Sequence, residues 1–189
     1  MKELTKTHEE RVFKTPRMEG VKVTYSDDDG IEFTHTIIKS KPSVATIVRS
    51  SGTIAFILQF RSTTGKYYIE LPAGIIEDGE TEVGAAIRET REETGILVKN
   101  AYPLVKGPSL LDPSKSDENF GVVVADLDSR KEQELDENEQ ISSAIIWMTE
   151  GEVYRRVYSQ LFDGEPFYNT LYLSGHSLYA LMAYKLSHR

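Results

Sequence analysis

The chain contains no cysteine, which excludes disulfides, thiolate zinc sites and a cysteine nucleophile. No apolar run approaches the roughly 18 residues needed to cross a bilayer as a helix. The opening residues, Met1-Lys-Glu-Leu-Thr-Lys-Thr-His-Glu-Glu, hold no apolar segment of the secretory kind. A cytoplasmic location without membrane contact is therefore expected. Positive charge is also in short supply, with 22 Lys and Arg against 30 Asp and Glu and a net charge of −8. That balance argues against a sequence-independent grip on nucleic acid, which needs basic side chains to neutralise phosphates. An acidic protein also repels any phosphate-bearing small molecule unless a cation stands between them. Internal repeats, low-complexity tracts and interdomain linkers are missing as well.

What is present fits one globular domain with an appendage. The 189 residues are 39% hydrophobic and 28% charged, enough to bury a substantial core. The N-terminal third reads as β. Segments 21–25 and 31–38 flank the turn-rich Asp27-Asp-Asp-Gly30, which predicts a hairpin. Pro42 marks a break before two short apolar runs, 44–48 and 54–60, and a short strand at 67–70 follows. A helix is predicted over 81–93, closed by Gly95. Strands are expected near 101–105, 121–125 and 141–148, and helices near 150–161 and 175–187. The mixture is α/β or α+β.

The helix over 81–93 carries the candidate chemistry. Val83, Ala86, Ile87 and Thr90 fall at i, i+3, i+4 and i+7, one stripe able to face a core. Glu89, Glu92 and Glu93 fall at i, i+3 and i+4 on a neighbouring stripe. Three carboxylates so close repel one another and oppose the helix macrodipole in its last turn. Two readings stand on this helix alone. One is a solvated acidic face partly neutralised by Arg88 and Arg91. The other is a hard-cation site, since clustered carboxylate oxygens suit Mg²⁺.

The whole stretch from Leu71 to Ile96 bears on that choice. Gly74, Glu80, Arg88, Glu89, Glu92, Glu93, Gly95 and Ile96 occupy the spacing of the Nudix box, and the segment resembles that family. Seven fixed matches arise by chance with a probability on the order of 10⁻⁸ per starting point. One apolar position departs, because Thr90 stands where a large apolar residue is usual. The resemblance implies the Nudix fold, an α/β/α sandwich with a mixed sheet. It covers residues 43–148 best and divides the chain into an N-terminal β appendage, 1–42, and a Nudix domain, 43–189.

The resemblance also implies roles. Glu89, Glu92 and Glu93 become metal ligands for Mg²⁺, or Mn²⁺ in its place, with Ala73 offering a backbone carbonyl. Arg88 orients them, Gly74 lets the chain bend, and Glu80 is a helix-start carboxylate or an outer ligand. The segments Gln59-Phe-Arg61 and Ile69-Glu-Leu-Pro-Ala-Gly74 resemble those of ADP-ribose and ADP-sugar pyrophosphatases. That pattern carries substrate contacts onto Arg61, facing a phosphate, and onto Glu70. Asp112-Pro-Ser-Lys-Ser-Asp117 resembles the loop after the box, with its proline two residues late. Asp136-Glu-Asn-Glu-Gln-Ile141 resembles the acidic loop that holds a general base, which points to Glu137 first and Glu139 second. Members with an adenine-stacking aromatic often use tryptophan in the N-terminal β region. Here the single tryptophan is Trp147, so Tyr25, Phe33 or His35 takes that part. The appendage resembles a dimerisation arm and implies a homodimer.

The implied activity is hydrolysis of a nucleoside diphosphate derivative, with ADP-ribose or an ADP-sugar leading. Other nucleotide sugars, dinucleotides and oxidised nucleotides keep the same chemistry. Isopentenyl diphosphate isomerase, a relative, relies on cysteine and is excluded. A non-catalytic ADP-ribose sensor is the alternative of another class. Such sensors tend to have a damaged box and an added DNA-binding module, and neither is found here.

Overall fold

A computed structural model describes residues 3–106, 109–130 and 145–188. The chain divides into two compact units, Met1–Pro42 with Pro108–Phe120, and Ser43–Gly107 with Gly121–Arg189.

The first unit is a three-stranded antiparallel sheet of β1 (Leu4–Lys14), β2 (Met18–Asp27) and β3 (Glu32–Ser40), with β2 in the centre. The expected hairpin joins β2 to β3. Asp27 fixes its turn by accepting the backbone N–H groups of Asp29 and Ile31 at 3.0 and 2.9 Å, and Gly30 takes the positive φ of 80° that the turn needs. Strand β1 was not expected, because its Thr-Lys-Thr-His-Glu-Glu run has no apolar alternation, and the whole strand is exposed. Its pairing with β2 is held in part by the Phe13 ring, which lies over its cross-strand partner Gly20. A Cβ at Gly20 would meet that ring at 2.2 Å. The Pro-containing loop joins this unit: Ile38 N–H donates to Lys115 O at 2.7 Å, and Ser40 N–H to Asp117 Oδ1 at 2.9 Å.

The second unit is built on a mixed sheet. Its strands are β4 (Ser43–Ser50), β5 (Thr53–Arg61), β6 (Lys66–Glu70), β7 (Ala73–Ile75), β8 (Ile96–Pro103), β9 (Phe120–Arg130), β10 (Ile145–Thr149) and β11 (Tyr172–Leu173). They run in the order β11-β6-β5-β4-β9-β8, with β10 paired to β5 and β7 to β4. The β11–β6 pair is parallel and the β5–β6 hairpin antiparallel. The apolar runs foreseen at 44–48 and 54–60 are the two buried strands β4 and β5. The short strands β7 and β11 carry too few residues for any periodicity to reveal them.

Helices cover both faces. Thr46, on β4, donates to the Ala86 carbonyl of α1 (Glu82–Thr94) at 3.2 Å. Arg49, three residues on and so on the opposite face, reaches Tyr184 of α3 (Gly175–Ser187) and binds Asp126 of β9 at 2.8 Å. Among the described residues no helix is long and apolar enough to cross a membrane.

Three expectations need correction. Ile87, expected on the core stripe of α1, is 40% exposed. The buried face is instead Ala85, Ala86, Glu89 and Thr90, because α1 turns its small residues onto Val44 and Val123. Strand β8 starts at Ile96, directly after the helix cap, rather than near residue 101. The helix expected over 150–161 is α-helical only over Glu150–Tyr158 (α2) and finishes as a π turn, Ser159–Asp163. The expected strand 141–148 is seen as β10, with 141–144 outside the described residues.

Candidate active site

The box is a strand–loop–helix in which each local choice aims a carboxylate. Strand β7 pairs with β4, Ala45 opposite Ala73. The loop then folds back at Gly79, φ 83°, where Glu80 N–H donates to Glu77 O at 2.9 Å. Thr81 caps α1 by accepting Gly84 N–H at 3.0 Å, and Gly95, left-handed at φ 67°, closes it. The thirteen residues between those caps carry every glutamate of the expected ligand set.

Arg88 is the hub. Its Nε and Nη2 donate to the two oxygens of Glu80 at 3.0 and 2.9 Å. Its Nη1 donates to Glu89 at 2.7 Å and Glu92 at 3.1 Å, and Nη2 also reaches the Ile75 carbonyl at 2.8 Å. One guanidinium thus binds the loop, the strand and the helix. Glu80 chiefly, then Glu89 and Glu92, hold its proton more firmly than usual, and Arg88 in turn pulls the Glu80 carboxyl below the ordinary carboxylate range. Glu80 therefore stands as the partner that orients Arg88.

Gly74 has a role other than the bend expected of it. A Cβ there would lie 2.0 Å from Glu89 Cδ, so the glycine clears room for a buried carboxylate beside the strand. Glu93 accepts the Ala73 N–H at 2.9 Å. Thr90, the departure from the box pattern, is fully buried, and its hydroxyl has no hydrogen-bond partner among the described residues.

Arg61 and Glu70 form a two-bond ion pair. Arg61 Nε donates to Glu70 Oε1 at 2.8 Å, and Nη2 binds Oε2. Glu70 is 5% exposed. Tyr25, Phe33 and His35 stand on the three-stranded sheet of the first unit, where Tyr25 pairs with Phe33 and His35 with Val23. Glu137 and Glu139 lie outside the described residues.

Sequence reasoning missed Glu82. Its carboxylate fills the space left by the missing side chain of Gly121, whose Cβ would lie 2.6 Å from it. Burial pushes its pKa up, against a hydrogen bond from Val122 N–H. Nothing in the spacing of the box links these distant positions.

The donors present fit a hard divalent cation by chemistry. Glu89, Glu92 and Glu93 are all-oxygen ligands within about one helical turn, and the backbone beside Glu89 is kept clear by a glycine. Among the described residues no three such side chains converge at metal-holding distances. Oxygens of Glu89 and Glu92 are bound to Arg88, and one of Glu93 to Ala73 N–H.

A mixed sheet between helices, with glutamates presented by a glycine-backed strand–loop–helix, defines the class of scaffold. The family model described as the NUDIX domain matches residues 39–171. The chain belongs to the Nudix family. It is 37% identical over 112 residues to a protein of Caenorhabditis elegans named putative nudix hydrolase 2, covering 55% of this chain and 50% of that one. The chain thus spans about half the length of that curated relative. It is 30% identical over 141 residues to the ADP-ribose pyrophosphatase of Bacillus subtilis, covering 72% of this chain and 74% of that one. A crystal structure of an ADP compounds hydrolase superposes with a TM-score of 0.75 at 18% identity, covering 97% of this chain and 93% of that one. That likeness concerns the fold.

Proposed function

We propose that the chain is a Mg²⁺-dependent pyrophosphatase that hydrolyses the diphosphate bridge of ADP-ribose or a related ADP-sugar, giving AMP and a sugar phosphate. The observation that carries this reading is the Arg88 hub, which collects the box glutamates Glu80, Glu89 and Glu92 around one guanidinium. The Bacillus subtilis relative, named for ADP-ribose, supports the substrate class.

Glu89, Glu92, Glu93 and the Ala73 carbonyl hold the metal in this reading, Mn²⁺ serving in place of Mg²⁺. Bound there, a divalent cation cancels the charge of the diphosphate and polarises phosphorus for attack. Arg88 keeps Glu89 and Glu92 in place before substrate arrives, which lowers the cost of organising the site. Arg61 contacts a phosphate, with Glu70 beside it, and an aromatic ring among Tyr25, Phe33 and His35 holds the base. Glu137, or Glu139 in second place, takes a proton from the attacking water. The water oxygen bonds to phosphorus, the bridging P–O bond breaks, and AMP and the sugar phosphate leave.

A homodimer belongs to the same proposal, with residues 1–42 as the arm. Leu4, Val12, Phe13, Met18, Ile31 and Phe33 leave apolar surface exposed on that unit, which suits burial against a second copy. A cytoplasmic setting is proposed with it, and the lack of cysteine is compatible with one.

The test is a substrate panel with Mg²⁺, resolving products by chromatography. ADP-ribose is expected to give AMP and ribose 5-phosphate, and EDTA to abolish the reaction. Cleavage of only a dinucleotide or an oxidised nucleotide would move the substrate. Tight ADP-ribose binding without turnover in Mg²⁺ or Mn²⁺ would replace the enzyme by a sensor.

A further inference from the structure

Arg61 and Glu70 are far apart along their own hairpin. Arg61 is paired with Lys66 at the turn, whereas Glu70 is paired with Ile57, four residues back along β5. That spacing is about 13 Å of strand. Cross-strand partners share a face, and so do residues separated by four, so Arg61 and Glu70 lie on one face with Gln59 and Tyr68 between them. The arginine must lie back along the sheet, over that intervening pair, to make its two bonds. Left to itself, an arginine beside a turn extends into water, where its rotamer freedom is greatest.

The carboxylate has the opposite character. Glu70 is 5% exposed, and a buried carboxylate needs charged, two-bond compensation. It is also three residues from Ala73, whose N–H binds Glu93. The pull of Glu70 therefore brings the guanidinium to the box, within the field of Glu93. The pair uses the Nε and Nη2 edge, and among the described residues Nη1 makes no hydrogen bond. Half of the Arg61 side chain is exposed, 48% against 6% for Glu70. The second edge of the planar fork is thus available to another oxyanion, the geometry in which arginine binds phosphate.

We propose that Glu70 is a positioning residue: it draws Arg61 back along β5–β6 so that the outer edge of the guanidinium is presented to the diphosphate. This rests on the pyrophosphatase reading for its substrate, and it replaces a direct substrate contact of Glu70 by an action through Arg61.

The experiment compares wild type, Arg61→Ala, Glu70→Ala, Glu70→Gln and the double variant Arg61→Ala/Glu70→Ala. Inorganic pyrophosphate binding with Mg²⁺ is measured by calorimetry, beside KM and kcat for ADP-ribose and the melting temperature. Arg61→Ala is expected to weaken pyrophosphate binding on the order of 10-fold to 10²-fold. Glu70→Ala is expected to match it, with the double variant no weaker than Arg61→Ala alone. KM for ADP-ribose should rise in both singles more than kcat falls, and Glu70→Gln, which keeps one acceptor, should recover part of the loss. The proposal is overturned if Glu70→Ala binds pyrophosphate like wild type, if the two losses multiply in the double variant, or if only the melting temperature falls. Should Glu70→Ala fail to fold, Glu70→Gln with and without Arg61→Ala makes the same comparison. A wild type that binds pyrophosphate through this pair yet cleaves no ADP-sugar would sink the functional reading and leave the positioning role standing. A wild type that does not bind pyrophosphate sinks the positioning role.

Discussion

Glu93 Oε2 accepts the backbone N–H of Ala73 at 2.9 Å, joining the last turn of α1 to the first residue of β7. The bond fixes one oxygen of a proposed metal ligand against the strand whose carbonyl is proposed as another. Glu93→Gln keeps an acceptor for that N–H while removing the charge. Turnover should fall by at least on the order of 10²-fold, with circular dichroism and melting close to wild type. Near-normal turnover would take Glu93 out of the ligand set.

Gly74→Ala should separate activity from stability. The added Cβ meets the far end of Glu89, 2.0 Å from its Cδ, and that flexible end can move aside. The fold should survive with a loss of about 1–3 kcal/mol, but the carboxylate is displaced and turnover should collapse. Gly79→Ala is the contrast. Its φ of 83° makes alanine cost about 1–2 kcal/mol, yet nothing lies within 4 Å of the new carbon. Urea melts and initial rates on both variants check the pair; equal activity losses would refute the steric argument.

Arg88→Lys keeps a charge and loses the fork. A single ammonium cannot span Glu80, Glu89, Glu92 and the Ile75 carbonyl together. Stability should fall by about 1–2 kcal/mol, limited by partial solvent screening, and turnover by on the order of 10²-fold. Urea denaturation and kcat measure the two effects.

Glu82 sets a pH dependence. Burial raises its pKa in the folded state above the ordinary value of 4.5. The folded protein therefore holds this proton more tightly than the unfolded chain, and stability drains away as pH climbs from the unfolded value through the folded one. Glu82→Gln removes the ionisation. Its melting temperature should exceed that of wild type at neutral pH, with the gap closing toward pH 4. A gap that is constant with pH would show that Glu82 does not titrate in this way.

The sequence was most legible where one residue type alone satisfies a local demand. Gly95 closes α1 in the left-handed conformation expected of it, and the helix expected near 175–187 is Gly175–Ser187. The box spacing led to the family because it is a local pattern. Relations between distant positions left no such trace. Strand β1 shows no alternation because the residues on both of its faces are exposed. Ile87 fits a core stripe, yet the pull of Arg88 and the clearance at Gly74 turn Glu89 inward in its stead. The pattern around the box marks Arg61 and Glu70 as separate contacts, and their ion pair exists only in the folded hairpin. Glu82 and Gly121 meet only after folding.

The two terminal strands in the order of the large sheet are ill suited to recruiting other chains. One is β11, two residues long. At the other, β8 loses register between Lys99 and Tyr102, holds Asn100 at φ 52°, and ends at Pro103, which offers no N–H. Among the described residues, an incoming ribbon finds no continuous ladder to extend along either of these two strands. A folded molecule at high concentration should therefore resist fibril growth through these two strands.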